Sequence, residues 1–267
     1  MKDYLLELVA TQQGFNAKMN TMREYLQAYL LRILHDQGFF RTTAFLGGTA
    51  LRFLYQIPRF SEDLDFSRVQ SLENSLGHLV KIIQQELTLA GYTVSISYKD
   101  VKAVQSAMIR YEKLMYETGL SPLLSQKFSV KLEIDSNPPK GAVLQTEIVN
   151  RYFPLAFLTY DLASLFAGKI NALLTRKYTK GRDFFDLGWY LSRWKDLVPN
   201  LELLHNGLQQ SGYPKEMPTL QNWRHLLYQM VEQADWEKVR RDVENFLENP
   251  SDLAIFSKEN LLRLLER

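Results

Sequence analysis

The chain has 267 residues, 46% of them hydrophobic, which is enough to bury the core of one large domain or of two closely packed ones. Its net charge of +2 neither requires nor excludes a polyanionic partner. The absence of cysteine excludes disulfides, thiolate nucleophiles and cysteine-bound zinc, and the four histidines are widely scattered, so any metal is expected on oxygen ligands. Early charged residues argue against a signal peptide, and no apolar run approaches the roughly 20 residues of a membrane span. We therefore expect a cytoplasmic protein with no membrane partner.

The N-terminal part of the sequence predicts helices followed by a strand, a glycine turn and another helix. Residues 1 to 38 carry apolar side chains at spacings of three and four. Thr43 to Leu46 form a short apolar run that ends at Gly47-Gly48. Helical spacing then runs from Thr49 to Tyr55, until Pro58 prevents its continuation.

The pattern changes from mixed α/β to all-helical near residue 160. Before that point we predict one further helix and three further strands; the helix spans Leu76 to Leu89, and the strands span Ser61 to Phe66, Tyr92 to Tyr98 and Phe128 to Ile134. The predicted fold class is therefore α/β (α+β), with a mixed sheet and flanking helices in a lobe of residues 1–158, followed by an all-helical lobe of residues 159–267. We expect the two lobes to share one cleft.

Gly47 and Gly48 are predicted to bind a nucleotide phosphate. A glycine pair between a strand and a helix lets the backbone approach a ligand closely, and the free N–H groups and the helix dipole favour an anion. The Thr49 hydroxyl would add a donor. The alternative is an ordinary tight turn capped by Thr49, which is the commoner meaning of a glycine pair on its own.

Asp63 and Asp65 are predicted to bind a divalent metal. Residues two apart on a strand leave the same face, so both carboxylates would point one way while Leu64 and Phe66 point into the core. Such oxygen ligands suit Mg²⁺ or Mn²⁺, and two such ions can orient a triphosphate for in-line attack. The alternative for an isolated Asp-x-Asp is a solvated acidic strand end.

A later strand adds a second acidic segment to this pattern. Lys131, Glu133 and Asp135 alternate with apolar residues, so they would share one face of that strand. Glu133 is the candidate for a third metal-binding carboxylate, with Lys131 and Asp135 as secondary candidates. The alternative is a charge ladder on the protein surface.

The segments Phe45 to Arg52 and Arg59 to Phe66 closely resemble the AbiEii/AbiGii toxin family, which belongs to the DNA polymerase β-like nucleotidyltransferases. The resemblance covers roughly residues 40 to 195 and includes Gly168 to Leu173 and Gly181 to Leu187. It implies that the Ser61 hydroxyl lies beside the catalytic aspartates, where it would contact a triphosphate. The alternative is a serine that only begins the strand.

Helical geometry independently singles out Lys169 and Asp183. At 100° per residue Lys169 falls on the apolar stripe of its helix, so its ammonium should meet an anion, either a protein carboxylate or a nucleotide phosphate. The alternative is a lysine that extends past the stripe to water. Asp183 falls among apolar residues of the next helix and is the preferred active-site carboxylate, whereas Asp186 falls on the flank and is the second choice. Alternatively Asp183 caps the helix and Arg182, another secondary candidate, is paired locally.

Basic residues concentrate in the middle of the sequence, where a polyanionic acceptor would need them. They are Lys127, Lys131, Lys140, Lys169, Arg176, Lys177, Lys180 and Arg182. Tyr178 and Phe184 are candidates to stack a base. Arg52 and Arg59 are expected either to reach phosphate or acidic groups or to form surface ion pairs.

The resemblance implies a Mg²⁺-dependent toxin that transfers a nucleotide from a nucleoside triphosphate to RNA, in particular to the 3′ end of tRNA, and so blocks translation. A cognate antitoxin would be encoded separately. In this hypothesis the triphosphate is held by Gly47, Gly48, Ser61 and Lys169, and the metal by Asp63 and Asp65. Glu133 or Asp183 completes the metal site or accepts the hydroxyl proton. The rival hypotheses are a non-catalytic module that senses nucleotides or binds RNA, and a metal-dependent nuclease.

Overall fold

The computed structural model describes residues 1–70 and 75–266, and the chain divides into two compact units. The first unit comprises Met1–Gln56, Phe60–Asn137 and Thr146–Thr159. The second unit comprises Ile57–Arg59, Pro138–Gln145 and Tyr160–Arg267.

The first unit combines helices with most of a β-sheet. Its helices are α1 (Lys2–Ala10), α2 (Phe15–Asp36), α3 (Gly47–Tyr55), α4 (Leu76–Leu89) and the single turn α5 (Leu114–Glu117). The strands of the chain are β1 (Thr43–Leu46), β2 (Leu64–Arg68), β3 (Val94–Lys99), β4 (Val104–Tyr111), β5 (Phe128–Asp135), β6 (Leu144–Asn150) and β7 (Pro154–Tyr160).

Within the described residues the seven strands form one mixed sheet in the order β3-β4-β5-β2-β1-β7-β6. Strand β1 pairs antiparallel with β2 and parallel with β7, while β2 pairs parallel with β5. Strand β4 joins β5 and β3 by antiparallel pairing. The predicted mixed sheet with flanking helices is therefore confirmed.

The centre of the sheet has one apolar and one polar face. Along β5 every second residue from Phe128 to Ile134 is buried, and the residues between them are partly or fully exposed. Leu64 and Phe66 are buried in the same way on β2, at 0% and 2% exposure. The apolar face packs against α2 and carries aromatic side chains such as Phe45 of β1 and Phe157 of β7, whose rings lie 5.2 Å apart. The polar face of β2 and β5 carries the candidate site residues Asp65 and Glu133.

The second unit is helical. Its helices are α6 (Leu162–Thr175), α7 (Gly181–Arg193), α8 (Leu201–Gln210), α9 (Trp223–Gln233), α10 (Trp236–Glu244), α11 (Asp252–Ile255) and α12 (Lys258–Leu265). Side-chain caps begin several of them: Asp161 accepts from the Ser164 amide at 2.8 Å, and Asp235 accepts from the Lys238 amide at 3.1 Å. Among the helices of the described residues, no helix has both the length and the apolar character needed to cross a membrane.

The segment Ile57–Arg59 belongs to the second unit because its backbone pairs there. Arg59 forms a β-bridge with Leu247, and the Glu248 amide donates to the Pro58 carbonyl at 3.1 Å. Pro58 therefore separates α3 from a short extended stretch, as its effect on helix continuation predicts.

Several elements differ from the sequence prediction. Helix α3 begins at Gly47 and includes both glycines, which the sequence analysis assigned to a turn. Strand β2 begins at Leu64, later than predicted. Strands β4, β6 and β7 were not predicted: β6 alternates between exposed and half-buried residues without a fully buried face, and β7 begins with a proline.

Candidate active site

Gly47 and Asp65 meet where strand β1 ends. Gly47 has a φ of +79°, a left-handed conformation that favours glycine. The antiparallel pairing of β1 with β2 places Leu46 opposite Asp65, and the Asp65 carboxylate lies so close to Gly47 that its Oδ2 would overlap a β-carbon at position 47. Gly47 is therefore needed both for its backbone conformation and to make room for an aspartate. Phosphate binding by Gly47 and Gly48, both in the first turn of α3, stays a prediction.

Thr49 ties α3 to the acidic segment. Its side chain is fully buried, and its hydroxyl donates to the Asp63 carbonyl at 2.5 Å. This corrects the expectation that Thr49 caps the helix or offers its hydroxyl to a phosphate: the N-cap is Leu46, and the hydroxyl is already bonded within the protein. Thr49 is a positioning residue for the backbone of Asp63.

The segment before β2 is held by a second side chain, which sequence reasoning missed. The Gln27 amide donates to the carbonyls of Ser61 and Glu62, at 3.0 and 2.8 Å. Ser61 lies three residues before β2, so the expectation that it begins the strand is wrong. Asp63 immediately precedes the strand, and Asp65 lies within it on the partly exposed face.

Strand β5 brings the second acidic segment beside this face. In the parallel pairing of β5 with β2, Glu133 is the register partner of Asp65, and Asp135 is the partner of Ser67. Register partners on adjacent strands project from the same side of the sheet, so Asp65 and Glu133 share the polar face. Asp135 accepts a hydrogen bond from the Asn137 amide at 2.9 Å, which makes it part of the turn after β5.

The ammonium group of Lys131 lies on the same polar face as Asp65 and Glu133. Its Nζ lies 2.7 Å from Glu133 Oε1. The hydrogen bond to Glu133 raises the pKa of the Lys131 ammonium against the opposing effect of burial, and the charges of Glu133, Asp63 and Asp65 add to the rise. Three carboxylates therefore act on one ammonium, which shows that this face attracts positive charge.

The donor set fits a hard divalent cation. Asp63, Asp65 and Glu133 offer carboxylate oxygens, which are the ligands that Mg²⁺ and Mn²⁺ prefer. Gly47 leaves the space in which the Asp65 carboxylate stands. Within residues 1–70 and 75–266, however, no three acidic or histidine side chains are already gathered around a common point as ligands. Like charges repel when no metal is present, and Glu133 is engaged by Lys131, so the metal itself would draw the carboxylates together.

The second unit contains its own buried charge network, centred on Asp186. Asp186 is fully buried and accepts two hydrogen bonds from Arg59, at 2.5 and 2.6 Å. Lys169 Nζ lies 2.6 Å from Asp186 Oδ2 and 3.3 Å from Asp183 Oδ1. Lys169 therefore points inward and meets protein carboxylates, one of the two kinds of anion expected for it.

The environment of Asp186 overturns its assignment to the helix flank. Burial alone would raise the pKa of its carboxyl group, but the charges of Arg59 and Lys169 and their hydrogen bonds outweigh burial and hold that pKa below its ordinary value. Arg59 is only 2% exposed, so it is not a surface ion pair. The flank assignment was wrong because a helical wheel scores apolar neighbours and cannot detect a buried cation 127 residues earlier in the chain.

Asp183 lies in the first turn of α7, whose N-cap is Lys180. The alternative that Asp183 caps this helix is therefore wrong. Besides Lys169, it has Arg176 Nη1 at 2.7 Å from its Oδ2. Arg182 turns to α10 instead: its amide donates to Asp242 at 3.3 Å, and its guanidinium lies 4.0 Å from the ring centroid of Phe246. Arg182 thus packs two helices together.

A buried polar cluster that the sequence did not predict is centred on Glu24 of α2. Glu24 is 4% exposed and accepts from Arg52 at 2.7 Å, from Arg151 at 3.0 Å and from the Tyr152 hydroxyl at 3.0 Å. Arg52 also lies 4.6 Å from the ring centroid of Phe60, and is buried rather than on the surface. The cluster fixes the orientation of α3, and a buried carboxylate needs such cations.

Of the eight basic residues that the sequence analysis grouped, most are paired. Ion pairs link Lys127 with Glu112, Lys131 with Glu133, Lys169 with Asp183 and Asp186, Arg176 with Asp183, and Arg182 with Asp242. Among the aromatic candidates Tyr178 is 64% exposed, whereas Phe184 is buried against Trp236. Phe184 is therefore not available to stack a base.

We compared the chain with protein-family models and with solved structures, and the family model identifies its family. The family model described as "Nucleotidyl transferase AbiEii toxin, Type IV TA system" matches residues 28–258. A solved Helicobacter pylori structure of a candidate nucleotidyltransferase is 20% identical, with a TM-score of 0.58, and the match covers 92% of this chain and 93% of that chain. The H. pylori protein JHP933 is 19% identical, with a TM-score of 0.55, and the match covers 91% and 89% respectively.

At these identities the two structures show a shared fold and no more. A comparison with curated proteins finds no significant match. The family match, in contrast, spans most of the chain and includes the glycine pair, the two acidic segments, Lys169 and both helix α7 aspartates. The chain belongs to the AbiEii nucleotidyl transferase toxin family of type IV toxin–antitoxin systems.

Proposed function

We propose that this chain is a Mg²⁺- or Mn²⁺-dependent nucleotidyltransferase that transfers a nucleotide from a nucleoside triphosphate to an RNA acceptor, in particular the 3′ end of tRNA, and thereby blocks translation. The observation that supports this most directly is the acidic face of the sheet. Asp65 and Glu133 are register partners on parallel strands, Asp63 precedes them, and Gly47 makes room for the Asp65 carboxylate. Family membership also implies an antitoxin partner, which we propose is a separate chain.

The geometry of the first unit supports a role for each of its site residues. Asp63, Asp65 and Glu133 would hold the divalent ion, which would neutralise charge on the triphosphate and make the α-phosphorus more electrophilic. The backbone N–H groups at the start of α3, at Gly47 and Gly48, would bind phosphate oxygens. An acceptor hydroxyl would then form a new P–O bond at the α-phosphorus and give its proton to Glu133 or Asp183, while the bond to the β-phosphate oxygen breaks and pyrophosphate leaves.

Lys169 is the candidate phosphate ligand of the second unit. An ammonium has three N–H donors, and Asp186 and Asp183 take up two of them. The third is left for a phosphate oxygen, while the carboxylates fix the position of the Nζ. Asp183 and Asp186 thereby act on the reaction through Lys169.

The test is transfer from each of the four α-³²P nucleoside triphosphates to total tRNA, with Mg²⁺ or with EDTA. Wild type is compared with Asp65→Asn and with Asp100→Asn, a matched exposed aspartate on the loop after β3. Label on tRNA with wild type and Asp100→Asn, lost with Asp65→Asn or EDTA, supports the proposal.

The two rival hypotheses predict different results. A nucleotide-sensing module would bind a triphosphate but label no RNA. A nuclease would shorten RNA in the absence of any triphosphate. Either result would replace the transferase proposal.

A further inference from the structure

A cationic pocket lies within the second unit. It has a volume of about 280 Å³ and is bounded by the end of α6, the loop that leads into α7, and helix α9. Four cationic side chains line it, together with a single carboxylate, that of Asp183; the cationic residues are Arg176, Lys177, Lys180 and Lys215. A concave surface with this balance of charge concentrates anions.

Among the described residues that line the pocket, one carboxylate offsets only part of the charge of four cations. The one carboxylate, Asp183, is already engaged by Lys169 and Arg176. Within the part of the chain that the structure describes, no ion pair involves Lys177, Lys180 or Lys215. Burial, together with repulsion from Arg182 and Arg176, lowers the pKa of Lys180. The cations that act on Lys180 are Arg182, Arg176 and Lys169, and an anion bound beside Lys180 would relieve their repulsion.

The pocket also has an aromatic neighbour suited to a ring. Tyr178 lines the pocket and is 64% exposed, and the Arg176 guanidinium lies 6.0 Å from the centroid of its ring. An exposed aromatic face beside cationic groups is the usual means of binding a nucleotide without reading its sequence, because every base can stack and every nucleotide carries a phosphate.

We infer that this pocket is a nucleotide-binding subsite in which Lys180 and Lys215 bind a phosphate and Tyr178 stacks against a base. The inference rests on the proposed function and adds a subsite to it. The same chemistry has two possible sources, the nucleoside triphosphate and the backbone of the acceptor RNA. A phosphate from either source would reduce the electrostatic repulsion between the cationic side chains of the pocket.

The test compares the double variant Lys180→Gln/Lys215→Gln with wild type and with Lys238→Gln, a matched exposed lysine on α10 of the same unit. The probes are a fluorescein-labelled 12-nucleotide single-stranded RNA, followed by anisotropy, and each of the four nucleoside triphosphates, followed by calorimetry. Both are measured without divalent metal, so no transfer takes place.

We expect the double variant to weaken one probe by about tenfold or more, because each lysine supplies a charge-assisted contact. Weaker RNA binding, with a salt dependence reduced by about one counterion per lysine, assigns the subsite to the acceptor. Weaker triphosphate binding alone assigns it to the nucleotide substrate. Unchanged affinity for both probes overturns the inference.

A second measurement needs no variant. Wild-type protein is acetylated with and without each probe, and modification of individual lysines is read by mass spectrometry. Protection of Lys180 and Lys215, but not of Lys238, supports the subsite, and equal modification in every condition overturns it. If the two lysines are protected but tRNA is not labelled, the transferase proposal is refuted and the subsite stands. If tRNA is labelled but the lysines are not protected, the subsite is refuted and the transferase proposal stands.

Discussion

The Asp65 carboxylate stands where a β-carbon of residue 47 would be. The glycine after β1 and the aspartate of β2 thus depend on each other: the first has the left-handed backbone that favours glycine, and the second fills the space the glycine leaves. Any larger residue at position 47 must displace a carboxylate that we assign to the metal.

We therefore predict that Gly47→Ala lowers the transfer rate by at least about 100-fold, because a shift of the carboxylate by about 1 Å is enough for a loss of this size. Its left-handed backbone should also lower the free energy of unfolding by about 1–2 kcal/mol. Initial rates and urea unfolding measure the two effects. The control is Gly119→Ala, at a φ of +69° with open space around it, which should lose stability but keep its activity. A fully active Gly47→Ala enzyme would contradict the assignment of Asp65.

Replacement of Lys131 should strengthen metal binding. Lys131→Met removes an ammonium that bonds Glu133 and feels the charges of Asp63 and Asp65. A more negative face should bind Mn²⁺ about fivefold more tightly in the absence of triphosphate, measured by electron paramagnetic resonance of free Mn²⁺. Lys127→Met is the matched control, since Lys127 forms a similar pair with Glu112 at 2.7 Å outside the proposed metal-ligand set. Equal or weaker affinity in Lys131→Met would mean that these carboxylates do not bind the metal.

Asp186 should be a stability residue. Asp186→Asn leaves the Arg59 guanidinium buried without a full counter-charge, and we predict a loss of about 3–5 kcal/mol in the free energy of unfolding. The double variant Arg59→Met/Asp186→Leu should recover part of this loss, because it leaves no buried charge unpaired between these two positions. A double variant less stable than Asp186→Asn would argue against this cause.

The same residue sets a pH dependence. Because the folded pKa of Asp186 lies below its ordinary value, its contribution to stability is complete above the unfolded pKa, near 4, and is lost as the pH falls through the folded value. Wild-type stability should therefore decrease below about pH 4, and Asp186→Asn should show a shallower decrease. Urea unfolding between pH 2.5 and 6 measures both slopes, and identical slopes would contradict the prediction.

Asp183 should affect activity more than stability. It is 3% exposed, but it lies on the wall of the cationic pocket, and its two cationic partners remain bonded or near solvent when it is replaced. We expect Asp183→Asn to lower the transfer rate by about 100-fold through the mispositioned Lys169, with a change in Tm of only about 2–4 °C. If Asp183→Asn kept the wild-type rate, Asp183 would not be the active-site carboxylate of α7. Asp186, the second choice from the sequence, would then take its place in the proposal.

The acidic face could be predicted from sequence because its cause is local. Alternation with a period of two places Lys131, Glu133 and Asp135 on one side of a strand, wherever that strand lies. That Glu133 stands beside Asp65 could not be predicted, because nothing in either segment specifies a parallel pairing with the other. Glu133 was predicted as the third metal-binding carboxylate from its place on a later acidic strand, not from that pairing.

The charged partners in the core could not be predicted for the same reason. Arg52 and Arg59 each stand among apolar neighbours in the sequence, but their partners Glu24 and Asp186 lie 28 and 127 residues away. Periodicity finds which side chains point inward, but it does not find the group that neutralises them. The position of Lys169 was predicted because a cation on an apolar stripe requires a partner of some kind.

The Glu24 cluster also sets the order in which the protein can assemble. Arg151 and Tyr152 lie 127 and 128 residues after Glu24, and β1 and β2 pair with strands that follow much later in the chain. When the ribosome has synthesised Gly47, Gly48, Asp63 and Asp65, it has therefore not yet synthesised Glu133. The residues that complete the hydrogen bonds of Glu24 are also still missing. Contacts between such distant residues form late, since each must first close a long loop. Asp63 and Asp65 are thus synthesised well before the strand that completes the acidic face.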